Sequence, residues 1–162
     1  MAKFPERAKV VIIGQGGIVG ASVAHHLIER GWDNIVGIDK SAIPTDVGST
    51  AHASDFCFNT MHDQMTIFTT KYSIDFYDKM GRYDRIGGIE VARTEERMQE
   101  LRRRMQSAKS FGIDGCQMLT PAECVELVPY MDPDVILGGF YTPGVGVVDS
   151  LRAGTIMREK AR

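Results

Sequence analysis

Four consecutive β-branched residues, Val10-Val11-Ile12-Ile13, open the pattern of apolar positions. A run this short and continuous suits a strand of a parallel sheet covered on both faces. A cluster with four glycines follows, Gly14-Gln15-Gly16-Gly17-Ile18-Val19-Gly20. Apolar residues then recur at Val19, Val23 and Leu27, a spacing that predicts a helix with this stripe facing inward, and Gly31 stands where a helix-ending glycine belongs. Ile35-Val36-Gly37-Ile38-Asp39 reads as a second buried strand. Strand, glycine loop, helix and strand within about thirty residues have the size of a βαβ unit.

Residues 41–59 carry no period and are rich in Gly, Ser, Thr, Pro and Asp, which predicts a long loop of the kind that tends to be functional. Met61, Met65, Phe68, Tyr72 and Phe76 then mark one helix face, read as core packing, ending near Gly81. Gly87-Gly88-Ile89-Glu90-Val91-Ala92 alternates like a half-buried strand. Thr94 can cap a helix with inner face Met98, Leu101, Met105 and Ala108, its arginine run Arg102-Arg103-Arg104 reading as a solvated outer face. Thr120-Pro121-Ala122-Glu123 is a capping box with proline at the first helical position, and that short helix stops before Pro129. Val135–Tyr141 reads as a strand, Thr142–Val148 as a glycine-rich turn and return, and 150–162 as a final helix. The chain thus divides into a βαβ unit with its following loop over 8–60 and helical and strand segments over 61–162.

With 162 residues the chain is about one domain on the usual prior. A formal charge of −2 gives no global field toward nucleic acid or an anionic membrane, so neither is expected as a partner. Cys57, Cys116 and Cys124 have no metal-ligand spacing and no secreted disulfide pattern, so no metal is expected. Val10–Ala24 lacks charge and follows Lys3, Arg7 and Lys9, but its glycines interrupt any signal-peptide core. No stretch reaches the roughly 18 apolar residues of a membrane span. These features together predict a soluble, cytoplasmic protein.

The glycine cluster carries the chemistry. A diphosphate needs several backbone N–H groups brought close, which side chains would block, and the positive end of a helix behind them. Here the cluster follows a strand, opens a helix, and precedes an acid, Asp39, 19 residues past Gly20, near the spacing of an acid that binds ribose hydroxyls. That acid disfavours a 2′-phosphate and leaves FAD and NAD open. The loop is one residue longer than G-x-G-x-x-G, so Gly14, Gly16, Gly17 and Gly20 compete to anchor the diphosphate.

Val11–Asp39, followed by Gly48-Ser49-Thr50-Ala51-His52-Ala53, closely resembles the dimethylglycine oxidase, dimethylglycine dehydrogenase and sarcosine dehydrogenase family. The similarity continues through Gly87–Ala92, Thr120-Pro121-Ala122-Glu123-Cys124 and Ile136-Leu137-Gly138-Gly139. The resemblance implies an α/β, Rossmann-like FAD-binding fold of the D-amino-acid-oxidase type, incomplete here and with added helices. It implies FAD contacts at Ile18 and Val19, ribose and adenine-side contacts at Asp39 and Lys40, and flavin-side contacts at Ser49, Thr50, Ala51 and Phe56. In that family the histidine of the G-S-T-x-H-A segment is bonded to the flavin 8α-methyl group; the matching residue is His52. After it the chain departs from the family, with Ala53-Ser54-Asp55 where Ala-Pro-Gly or Ala-Ala-Gly is common.

The implied reaction is hydride transfer from an N-methyl amine such as dimethylglycine or sarcosine to flavin N5. The implied tetrahydrofolate site belongs to a C-terminal domain beyond these residues, as do the substrate-contacting residues, so no catalytic residue is assigned. These residues are expected to be the FAD-recognition half of a larger flavoprotein, inactive alone, with a sheet left open at one edge. The other readings are a nucleotide-binding module without activity that complements another chain, and an NAD-dependent dehydrogenase.

Overall fold

The computed structural model describes residues 5–44 and 47–161. Two positions of the loop expected over 41–59, and the last residue of the helix expected over 150–162, lie outside the described residues. In chain order the elements are β1 (Val10–Ile13), α1 (Ile18–Glu29), β2 (Ile35–Ile38), a 3-10 turn (Ser49–His52), β3 (Phe56–Cys57), α2 (Gln64–Lys79), β4 (Asp84–Arg85), β5 (Gly88–Ala92), α3 (Glu95–Ser110), β6 (Gln117–Leu119), α4 (Pro121–Leu127), a second 3-10 turn (Pro133–Val135), β7 (Gly138–Thr142), β8 (Gly146–Val147) and α5 (Ser150–Lys160).

The chain forms two units, Met1–Asp55 with Asp149–Arg162, and Phe56–Val148. The final helix thus belongs to the first unit.

In the first unit β1 and β2 pair in parallel, Val10 opposite Ile35 through Ile13 opposite Ile38, as the βαβ reading requires. These two strands make up the whole sheet among the described residues, so both are edges. α1 packs against α5. The inward face of α1 is not the expected one: Gly20, Ala21, Ala24 and His25 are buried, whereas Val19 is 74% exposed and Val23 is also exposed. Two helices approach closely when their facing residues are small. Ala21 and Ala24 therefore meet α5, near Gly154 and Met157, and the branched stripe is left outside.

The second unit holds two three-stranded antiparallel sheets, ordered β3-β8-β4 and β5-β7-β6. β5 pairs with β7 from Gly88 opposite Thr142 to Ala92 opposite Gly138. α3 buries Met98, Leu101 and Ala108, and Ala92 and Phe140 join this core, with Met105 packed against it, as its periodicity predicts. Thr94 caps α3, and Thr120 and Glu123 form the reciprocal capping box of α4 with Pro121 in its first turn. α4 contributes Cys124 to a second cluster with Leu119 and Ile136.

Three expectations fail here. On α2 the buried residues are Ile67 and Ile74, while Met65 is 69% exposed, Phe68 is 66% exposed and Tyr72 is exposed too. The stripe read as core therefore faces outward. The arginine run is split: Arg102 and Arg103 pair with Glu95 and Glu100 at the surface, but Arg104 folds inward onto Glu90 of β5, which Arg97 also holds at 2.9 Å. The strand expected over 135–141 begins at Gly138, because Asp132 caps a 3-10 turn that takes up Pro133–Val135.

Candidate functional site

At the C-terminal ends of β1 and β2 the backbone turns on Gly14, whose φ of +90° strongly favours glycine. The Ile38 carbonyl accepts the N–H groups of both Gly14 (2.8 Å) and Gln15 (3.2 Å), which ties the loop to the end of β2. Gly17 takes the N-cap position of α1 with an extended backbone. Gly20 lies under the loop, where an added Cβ would come within 2.4 Å of the Gly14 carbonyl oxygen. Gly14, Gly17 and Gly20 thus serve as turn, cap and close approach.

A cavity of about 350 Å³ opens at this edge of the parallel pair, the place where α/β sheets of this kind bind ligands. Gly14, Gly17, Asp39 and Lys40 line it from the βαβ unit; Gly48, Ser49 and Thr50 line it from the 3-10 turn. A larger cavity, about 480 Å³, runs along α5 beside Pro44. It contains no glycine loop, so the smaller cavity is the candidate site.

Asp39 stands just past β2. Its Oδ2 accepts the Gly16 N–H at 2.8 Å, and its Oδ1 accepts the Ser41 N–H at 3.1 Å and the Ser41 hydroxyl at 3.0 Å. The Ser41 backbone N–H, then that of Gly16, then the Ser41 hydroxyl hold its carboxyl below the ordinary value of 3.8. An ionised carboxylate offers about four acceptor directions, so three donors leave room for a ligand hydroxyl.

Thr50 meets the helix terminus directly. Its Oγ1 accepts the Ile18 N–H, the first of α1, at 3.0 Å. An oxygen that accepts this bond still has its own proton to donate. The positive end of α1 is thereby relayed to a hydroxyl on the cavity wall. Ser150, the first residue of α5, donates to the Thr50 carbonyl at 3.1 Å and fixes the 3-10 turn from the other side.

Of the residues singled out in the sequence, Gly14, Gly17, Asp39, Lys40, Ser49 and Thr50 share the cavity wall. Gly16 is bonded to Asp39, Ile18 to Thr50, and Gly20 packs behind the loop. Val19 sits in the open first turn of α1, where N–H groups have no carbonyl one turn earlier to bond. Ala51 and His52 complete the 3-10 turn beyond the cavity lining, and His52 is exposed. Phe56 begins the second unit, its ring edge-to-face with Phe58 at 4.5 Å. Sequence reasoning missed Ser150 and Arg158, the latter bonded to the glycine loop. Nothing in their local pattern distinguishes them from capping and surface residues of an ordinary helix.

The donor set fits the adenosine diphosphate portion of FAD: a glycine loop at a helix terminus, a hydroxyl backed by that terminus, and a carboxylate with acceptor capacity remaining. Among the described residues no group of three His, Cys, Asp or Glu side chains could hold a metal ion. No described helix is long and apolar enough to cross a membrane.

The family model described as DAO, FAD dependent oxidoreductase, matches residues 9–162. Among curated proteins, the chain is 32% identical over 155 residues to the mitochondrial dimethylglycine dehydrogenase of Rattus norvegicus, covering 91% of this chain and 18% of that protein. It is 31% identical over 154 residues to the mitochondrial pyruvate dehydrogenase phosphatase regulatory subunit of Mus musculus, covering 91% of this chain and 17% of that protein. Among solved structures, L-proline dehydrogenase from P. horikoshii is similar with a TM-score of 0.87 and 28% identity, over 98% of this chain and 42% of the other. The chain thus spans less than a fifth of the length of these curated relatives. With the DAO-like FAD-binding fold the NAD alternative falls away, and the chain belongs to the DAO family of FAD dependent oxidoreductases.

Proposed function

We propose that these residues form the FAD-binding half of an oxidoreductase acting on N-methyl amines of the dimethylglycine or sarcosine type. The observation that carries the reading is the convergence of Gly14, Gly17, Asp39 and Thr50 on one cavity, with Ser49, Ala51 and His52 continuing the same turn. Asp39 would hold the ribose hydroxyls, with Lys40 beside it on the adenine side. The loop amides, the first turn of α1 and the Thr50 hydroxyl would hold the diphosphate. Ser49, Ala51 and His52 would contact the flavin.

Bound flavin supplies a two-electron acceptor for hydride, and the protein's part is to bind and orient it. His52 is the proposed attachment point. Its imidazole nitrogen would be the nucleophile in such a linkage, and the flavin would supply the electrophilic carbon. The substrate-contacting residues and the folate domain implied by the resemblance are assigned to no residue here, and the 162 residues alone are proposed to bind FAD without turnover.

A second reading, a nucleotide-binding module with a regulatory role, is favoured by the near-equal identity to a protein named as a regulatory subunit.

The test is flavin absorbance on the purified, denatured polypeptide. Wild-type protein should retain flavin, and His52→Ala should lose the covalent flavin while still binding ADP. Uptake of NAD but not FAD would overturn the flavin reading. Joined to the remainder of a relative, the chain should bleach its flavin anaerobically with dimethylglycine or sarcosine. Retained flavin without bleaching would favour the regulatory reading.

A further inference from the structure

Arg158, in the third turn of α5, is only 8% exposed. Its Nη1 donates to the Gln15 carbonyl at 3.3 Å and the Gly16 carbonyl at 3.0 Å, while Nη2 donates to Thr155 Oγ1 at 2.9 Å. The Gln15 carbonyl belongs to the same peptide as the Gly16 N–H, which donates to Asp39 Oδ2 at 2.8 Å. One planar peptide is therefore gripped at both ends, by a guanidinium on its oxygen and a carboxylate on its nitrogen. The next peptide is held the same way: Arg158 binds its oxygen, and its Gly17 N–H donates to the Gly14 carbonyl at 3.3 Å.

Glycine loops have the widest conformational freedom in a chain, and a ligand that must order one binds correspondingly weakly. Two peptides fixed in advance remove that loss. The grip also couples the loop to the acid, since the Gly16 amide helps to seat the Asp39 carboxylate. A buried cation behind the loop adds positive potential where a diphosphate would dock.

We propose that Arg158 is a positioning residue for the dinucleotide site. It preorganises the Gly14–Gly17 loop and, through the Gln15–Gly16 peptide, Asp39, and so sets affinity for the adenosine diphosphate portion of the cofactor. This rests on the reading of the cavity as the FAD site.

The test compares the full chain with Arg158→Met and Arg158→Lys. It measures dissociation constants for ADP and FAD by calorimetry, hydrogen exchange of the Gly16 amide without ligand, and the melting temperature. Arg158→Met should weaken both ligands by about tenfold or more and speed Gly16 exchange. The guanidinium fork divides between the loop carbonyls on Nη1 and Thr155 on Nη2, an arrangement a single ammonium does not match, so Arg158→Lys should recover only part of the affinity.

An Arg158→Met protein that melts cooperatively and binds ADP within about threefold of wild type, about half the effect expected on a logarithmic scale, would overturn the proposal and leave the FAD reading intact. Failure of the wild-type chain to bind either FAD or ADP would overturn the FAD reading itself. Should Arg158→Met not fold, Arg158→Lys decides: unchanged affinity and exchange overturn the proposal, and a loss of at least about threefold at an unchanged melting temperature supports it.

Discussion

Asp39 shows how much one side chain can settle. Its carboxylate faces a ligand cavity, yet it already accepts two backbone N–H groups and a hydroxyl that stabilise its charged form. Because its pKa is lowered on folding, the contribution is present above the ordinary value of 3.8 and is lost as pH falls below it. The first unit should therefore keep this contribution to its stability down to about pH 4 and lose it below that, and Asp39→Asn should flatten that acid limb; urea melts across acid pH check both. Tyr83 works in the opposite direction. It is buried, its hydroxyl donates to the Gly144 carbonyl at 3.0 Å, and burial pushes its pKa up to about 12. The second unit should lose stability as pH rises from 10 toward 12, because the unfolded tyrosine ionises first. Denaturant melts of Tyr83→Phe should lack this alkaline loss.

At the scale of elements, the parts that depend on local chemistry were legible in the sequence. The β-branched strand Val10–Ile13, the capping box at Thr120 and the Thr94 cap all form where expected, since each is decided within a few residues, but Val11 and Ile13 are exposed rather than covered on both faces. Thr120→Ala removes the half of the box made by its hydroxyl, leaves the residue-120 N–H on the Glu123 carboxylate, and should destabilise the second unit by about 1 kcal/mol, measured by urea melts. Gly20→Val should do far more. Its Cβ would fall 2.4 Å from the Gly14 carbonyl, so the expected outcome is a displaced loop and loss of ADP binding. The inward faces of α1 and α2 were not legible, because period alone cannot say which of two apolar stripes meets a neighbour. On α1 the partner is a helix at close range, which selects Ala21 and Ala24 over Val19 and Val23. Part of the site was equally hidden. Gly14–Gly20 and Asp39 were marked by their spacing and the 48–52 turn by the family resemblance, but Ser150 and Arg158 act on backbone carbonyls across the chain, and such contacts leave no local pattern.

At the scale of the molecule, the chain leaves its first unit at Asp55, builds the second, and returns at Asp149. Each unit presents apolar surface to water. Ile13 of β1 is 83% exposed, and Met65, Phe68 and Tyr72 form an exposed stripe on α2. Patches of this kind drive association. The chain should self-associate with rising concentration, and Phe68→Glu with Tyr72→Glu should reduce this in light scattering while leaving the melting temperature nearly unchanged.

The return of α5 also has a consequence in time. Arg158 holds carbonyls 142 and 143 residues earlier in the chain, so the glycine loop emerges from the ribosome long before its brace. At synthesis rates of about 5–20 residues per second, that delay is roughly 7 to 30 s. During this interval the nascent loop has its glycines but not the bonds from Arg158 that hold its peptides.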